Sequence, residues 1–405
     1  MKKFLSIILT TIISLSMIGC KESVVLEDGV KSVEGVKTFD VVETPVEIEN
    51  EEVIYPSLFI NDNVYGATFI SGEDSINDVL DFKGYYIDKD GNYNEDKDSK
   101  IFLTEIGVNV STLSYQGLTK EYDTRDIPID EKEYYYRDNL NDITIKIEGL
   151  NELIDDLNLL SSEYLKWNYY IIGENKYFVL TLTLYEGKLE LRNLMEQSLF
   201  IVEIESGKTI KIKIKDENDS NSIIYMYYDE SINSIMAIMS DNKVKKLNFK
   251  NNEIDIEDYK ELNFQDYKLY HNYGFFIKEY KDNLIFTLID EENFTEENFM
   301  ENIKYAIYNK KSRELQLLDN EIFIMDVFGE SNLISVLYND DSYLAEIDEN
   351  NNIELIYKFD KKGYNYIAVY GVSNEEGNRL FVRKTLFNGE LASYQKEEYS
   401  FIDFK

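Results

Sequence analysis

From Tyr55 onward the chain is written in short runs of alternating apolar and polar residues, broken by clusters of Asn, Asp, Gly and Ser. A period of two places successive side chains on opposite faces of a strand, so these runs predict half-buried β-strands. "KYFVLTLTLYEG", "SLFIVEIESGKTIKIKI", "NSIMAIMSDNKV" and "NLISVLYNDDSYLAEID" show the pattern best. Helical spacing is rare. "LNELIDDLNLL" (150–160) gathers Leu150, Leu153, Ile154 and Leu157 on one face, which predicts a short amphipathic helix. "FTEENFMENI" (294–303) predicts another, with Thr295 as its N-cap.

The strands recur in a larger unit. Four hairpins, "FIVEIESGKTIKIKI", "KKLNFKNNEIDIED", "YAIYNKKSRELQLL" and "LAEIDENNNIELIY", turn near Ser206, Asn251, Lys311 and Asn350. Two further strands precede each hairpin, such as "IIYMYY" with "SIMAIM" or "IFIMDVF" with "LISVLY". Four antiparallel strands in about 45 residues resemble the blade of a β-propeller. Five units follow: 161–218, 219–265, 266–320, 321–361 and 362–405, with room for two less regular ones in 55–160. The expected fold is therefore all-β, with roughly seven four-stranded blades over residues 56–405. Two β-sandwich domains are the alternative, although sandwiches require no repeating strand quartet. The last unit is short, which suits a ring whose final blade is completed by a strand from the N-terminal part of the chain. No blade carries a WD or kelch signature, so the architecture names no functional family.

The N-terminal residues follow a different pattern. Lys2 and Lys3 precede fifteen largely apolar residues, Phe4 to Ile18, and then come Gly19 and Cys20. Fifteen residues are too few for an ordinary membrane span, which needs about 20, and have the length of a signal-peptide core. Met17-Ile18-Gly19-Cys20 resembles the lipobox of bacterial lipoproteins: an aliphatic position, a small residue, then cysteine. That resemblance implies that residues 1–19 are removed as a signal peptide and that the Cys20 thiol receives a diacylglyceryl group. Cys20 is the only cysteine in 405 residues, so a disulfide within the chain is impossible. Residues 20–55 then read as a lipidated acidic tether. About 35 flexible residues span roughly 30 Å. A second arrangement is open: "FDVVETPVEI" could dock as an edge strand, where Pro45 would be tolerated.

Charge narrows the partners. There are 78 acidic residues against 42 basic ones, for a net charge of −36. Loss of residues 1–19 removes Lys2 and Lys3 and no acid, giving −36 − 2 = −38. Such a surface repels phosphate, which argues against a nucleic-acid partner, and it repels anionic lipid, so membrane attachment must be hydrophobic.

Candidate chemistry is sparse. His271 is the only histidine, no G-x-S-x-G elbow accompanies it, and a metal site built on several His is excluded. "SGKT" (206–209) lacks the earlier glycine of a phosphate loop and sits in a turn between strands. No residue is assigned a catalytic or cofactor-binding role. In "DKDGNYNEDKD" (88–98), Asp88, Asp90, Asn92 and Asn94 alternate as in calcium loops, but the glycine is misplaced and Ser99 stands where the glutamate should. A solvated Asp/Asn turn is the favoured reading, with Ca2+ as the alternative. "KGYYID" (83–88), "EYYYRD" (133–138) and "LKWNYYIIG" (165–173, holding Trp167, the only tryptophan) could stack on sugar rings or serve as strand packing. On an alternating strand Tyr134 and Tyr136 share one face and Tyr135 takes the other.

The expectation is a lipid-anchored, extracytoplasmic lipoprotein at the bacterial cell membrane, acting as a binding or scaffolding module for an envelope protein or glycan. The alternative is a carbohydrate-active enzyme using paired Asp/Glu carboxylates. A solute-binding protein ranks last, since that class alternates strands with long helices.

Overall fold

The computed structural model describes residues 24–25, 31–32, 41–48, 54–69, 82–97, 100–107, 110–120, 133–157, 163–186, 193–215, 222–250, 253–270, 277–280, 282–290, 302–318, 322–328, 333–348, 351–373, 378–388 and 393–404. Antiparallel sheets follow one another along the chain as seven blades of a closed ring. Blade 1 pairs Tyr55–Ile60, Asn63–Phe69, Phe82–Ile87 and Tyr93–Glu95 in order. Blade 3 (Glu163–Ile172 to Lys208–Lys215), blade 4 (Ile223–Asp229 to Glu253–Glu261) and blade 6 (Phe323–Val327 to Ile353–Lys358) repeat that meander. Blade 5 opens with two short segments, Lys268–Leu269 and Ile277–Tyr280, both paired with Asn283–Ile289. All five units expected after residue 160 fall on single blades.

Blade 2 is the irregular one. Its three-stranded sheet, Gln116–Lys120, Tyr134–Asp138 and Ile143–Lys146, lies beside the hairpin of Phe102–Gly107 and Val110–Ser114. The hairpin also touches blade 3 through the single pair Lys166–Gly107. Helix α1, Leu150–Leu157, connects blades 2 and 3 and presses Leu150, Leu153 and Ile154 onto the core between them, as its apolar stripe requires. The other expected helix, at 294–303, falls almost wholly outside the described residues. Among the described residues no helix is long and apolar enough to cross a membrane.

The ring closes through the N-terminal segment. Val41–Val46 pairs antiparallel with Ser393–Phe404, the third strand of blade 7, from Val41–Phe404 to Val46–Tyr399. Of the two arrangements open for this segment, the docked one is found. Pro45 sits on that outer edge, where its missing N–H deprives no neighbour of a hydrogen bond. The earlier strands Val24–Val25 and Lys31–Ser32 pair with each other, and the second runs parallel to the outer strand of blade 6.

The core has the shape that strand alternation dictates. It is divided into seven apolar clusters, one in each seam between neighbouring blades. Within Tyr177–Glu186, Phe178, Leu180 and Leu182 face blade 2 while Val179 faces blade 4. That strand thus contributes apolar residues to two seams. Each seam contributes hydrophobic stabilisation of order 25 cal/mol per Å² buried.

Candidate functional site

The candidate site lies on blade 1, where "KGYYID" sends consecutive tyrosines to opposite faces. Tyr85 enters the seam with blade 7 and is fully buried. Tyr86 emerges on the other face, opposite Tyr65 of the neighbouring strand. The rings of Tyr65 and Tyr86 lie 5.7 Å apart at 33°, both half-buried. They form one wall of a cleft of about 760 Å³, whose rim carries Asn63, Asn94, Glu95, Asp96, Lys97 and Lys100. Among the described residues, only Leu58, Ala67 and Ile101 are buried in this seam, beside half-buried Tyr65, Leu113 and Tyr115.

The polar rim is fixed by backbone bonds. The Lys100 N–H donates to a carboxylate oxygen of Asp96 (2.8 Å), and the Asp96 N–H donates to the Gly84 carbonyl (3.0 Å). The Asn94 side-chain amide donates to the Asn92 carbonyl (2.9 Å). The cleft thus offers two phenol rings beside amides, carboxylates and ammonium groups. That set suits a polyhydroxylated ring, whose C–H face packs on an aromatic surface while its hydroxyls exchange hydrogen bonds with the rim.

A second cavity, about 280 Å³, lies at the first turns of blades 3, 4 and 5 and is rich in acids: Glu174, Asp229, Glu230, Glu279 and Asp282. Three of these five acids are already engaged. Lys310 pairs with Glu279, Lys311 lies 2.6 Å from Asp282, and the Ser231 N–H donates to Asp229 (3.0 Å).

Asp88, Asp90, Asn92 and Asn94 are brought together, but as a turn. The Asp88 carboxylate accepts the backbone N–H groups of Asp90 (3.0 Å) and Asn92 (2.9 Å) and the Asn92 side-chain amide. Slight burial pushes the Asp88 carboxyl up, but these hydrogen bonds outweigh it and hold it below the usual carboxylate range. The bonds from Asn92 recur around Asp348, whose carboxylate accepts the Asn352 backbone N–H (2.8 Å) and side-chain amide. In both places Asp and Asn stand four residues apart between the third and fourth strands of a blade, a spacing visible in the sequence. Gly91 has φ +86°, and a Cβ there would sit 2.7 Å from the Pro45 carbonyl oxygen. The loop therefore packs against the closing strand. Among the described residues no group of three or more His, Cys, Asp or Glu could hold a metal ion.

The other aromatic runs are seam packing. Tyr134 and Tyr136 are buried against Trp167 (5.2 Å) and Phe178 (4.8 Å), while Tyr135 points the other way and donates to Glu133 (2.6 Å). Burial pushes the Tyr136 phenol up to about 12. "SGKT" forms the expected turn, with Gly207 at φ +68°. Cys20 and His271 lie outside the described residues.

No protein-family model matches the chain, and no curated protein matches it either. Solved structures with a similar course include the β-propeller domain of the Trilobed protease from Pyrococcus furiosus (11% identity, TM-score 0.39, 85% of this chain and 94% of that one). The tricorn protease (9%, 0.40) and the acylaminoacyl peptidase of Pyrococcus horikoshii (11%, 0.42) are also similar. The match covers 77% and 84% of this chain, but only 35% and 50% of those proteins.

Proposed function

We propose that this chain is a lipid-anchored propeller of the bacterial cell envelope that binds a surface glycan in the Tyr65–Tyr86 cleft. The observation that carries the binding half is that cleft: paired rings in an open groove, rimmed by amides and carboxylates. The anchoring half rests on the Lys2-Lys3 start, the fifteen-residue apolar run and Gly19-Cys20.

Binding is favoured over hydrolysis by the carboxylates. A glycosidase needs one acid whose pKa is raised so that it stays protonated. Among the described residues, the carboxylates with displaced ionisation, Glu43, Asp88, Glu133, Asp241 and Asp341, are all displaced downward by lysines or amide donors. The test is binding of purified envelope polysaccharide, followed by Tyr fluorescence or calorimetry. Tyr86→Ala should weaken it at least tenfold, whereas Tyr135→Ala on blade 2 should leave it unchanged. Equal affinity in the two variants would exclude this cleft. Cys20→Ser should move the protein from the membrane to the soluble fraction.

A further inference from the structure

The N-terminal residues are tied to the ring much earlier than a free tether would be. Val24 and Val25 pair with Ser32 and Lys31, which pair in turn with Leu355 and Glu354 on the outer strand of blade 6. Cys20 is four residues before Val24. Four residues span at most about 14 Å. Direction follows from the pairing. Val24–Val25 runs opposite to Ile353–Lys358, so the chain arrives from the Lys358 end.

That end gathers lysines. Lys358, Lys361, Lys362, Lys384 and Lys396 collect at the junction of blades 6 and 7. Lys358 and Lys361 pair with Asp341, and Lys362 and Lys384 with both Glu43 and Glu398. Lys396 sits over the Tyr364 ring at 5.4 Å. Counting Asp340 and Asp360, whose carbonyl and carboxylate oxygens accept from Lys361 and Lys362, five lysines meet five acids. Across the whole chain acids outnumber bases 78 to 42. Exposed charges are screened beyond about 8 Å at physiological ionic strength, so an anionic membrane senses mainly the rim that faces it. A rim whose charges balance is repelled less than an acidic one.

We propose that the junction of blades 6 and 7, at the Lys358 end of the outer strands, is the surface that rests on the lipid bilayer. The inference depends on acylation of Cys20. The outer parts of blades 6 and 7 then face the membrane, and blades 2 and 3 lie on the far side of the ring.

Because acylation consumes the only natural thiol, an introduced cysteine can be labelled selectively in the full-length protein. Lys358→Cys and Thr144→Cys, the latter on the outer strand of blade 2, carry a fluorophore in vesicles of phosphatidylglycerol and phosphatidylethanolamine with a headgroup quencher. Severalfold stronger quenching at position 358 than at 144 is expected. Equal quenching, or stronger quenching at 144, overturns the orientation. The mass of the N-terminal peptide from the same samples separates the two ideas. An acylated peptide with the wrong quenching pattern refutes the orientation alone, and an unmodified Cys20 refutes the anchor and the orientation with it.

Discussion

On one face of blade 1, Tyr85 is sealed among eight other buried residues of blades 7 and 1. On the other face, one residue along the same strand, Tyr86 shares an open groove with Tyr65. The first seam is an aromatic stack. Phe381 touches Phe59, Tyr370, Tyr399 and Phe401 with ring centroids 5.4–6.4 Å apart. Ion pairs flank the stack: Arg379 grips Asp403 through two bonds of 2.7 and 2.9 Å, and Arg383 holds Glu397 at 2.9 Å. The second seam has the same strand chemistry but faces the irregular blade 2. Alternation thus lets one strand close the ring with Tyr85 and line the open groove with Tyr86.

The contrast is broken most forcefully at Phe381. Phe381→Ala should destabilise the fold by about 3–5 kcal/mol, because the cavity opens in the seam that closes the ring. Tyr86→Ala, on the other face, should cost only about 1 kcal/mol while weakening glycan binding at least tenfold. Chemical denaturation of both variants decides the matter. Similar losses of stability would mean that the two faces of blade 1 are not divided in this way.

A smaller effect is expected at the ion pair beneath the stack. The Glu397 side chain is 7% exposed and that of Arg383 12%. Arg383→Met leaves a buried carboxylate without its cation and should cost about 3 kcal/mol. Arg383→Met with Glu397→Leu should recover most of that loss, since burying neither charge avoids both desolvation penalties. A double variant as unstable as the single one would show that the pair contributes closure beyond its own balance.

The blades were legible because period-two alternation and the strand quartet are local signals. The units drawn from 161 onward coincide with blades 3 to 7, and the short last unit pointed to a borrowed strand. Blade 2 was not legible, because the hairpin of Phe102–Gly107 and Val110–Ser114 serves two neighbours at once. The cleft was half legible. "KGYYID" drew notice for its tyrosines, but Tyr65 in "NVYGATF" did not. The two rings meet through cross-strand register, which spacing along one strand does not encode. The Asp88 loop is more legible. Its Asp/Asn run reads first as a turn, with Ca2+ as the alternative, and the folded chain satisfies the Asp88 carboxylate with its own amides.

The mildest test concerns the strand that closes the seam from outside. Burial pushes the Glu43 carboxyl up, but Lys384 at 3.6 Å and Lys362 at 3.4 Å outweigh it and hold it below its ordinary value of 4.5. A carboxyl whose pKa is lower in the folded chain binds its proton more readily when unfolded. Its stabilisation is therefore complete above pH 4.5 and is lost as the pH falls through the lower folded value. Glu43 and Lys362 are partly exposed, so the contribution should be below about 1 kcal/mol. Glu43→Gln should remove that increment at pH 7 and leave stability nearly unchanged at pH 3, flattening the acid limb of the curve relative to the parent. A loss equal at both pH values would assign Glu43 a role in packing the closing strand, with its charge contributing nothing.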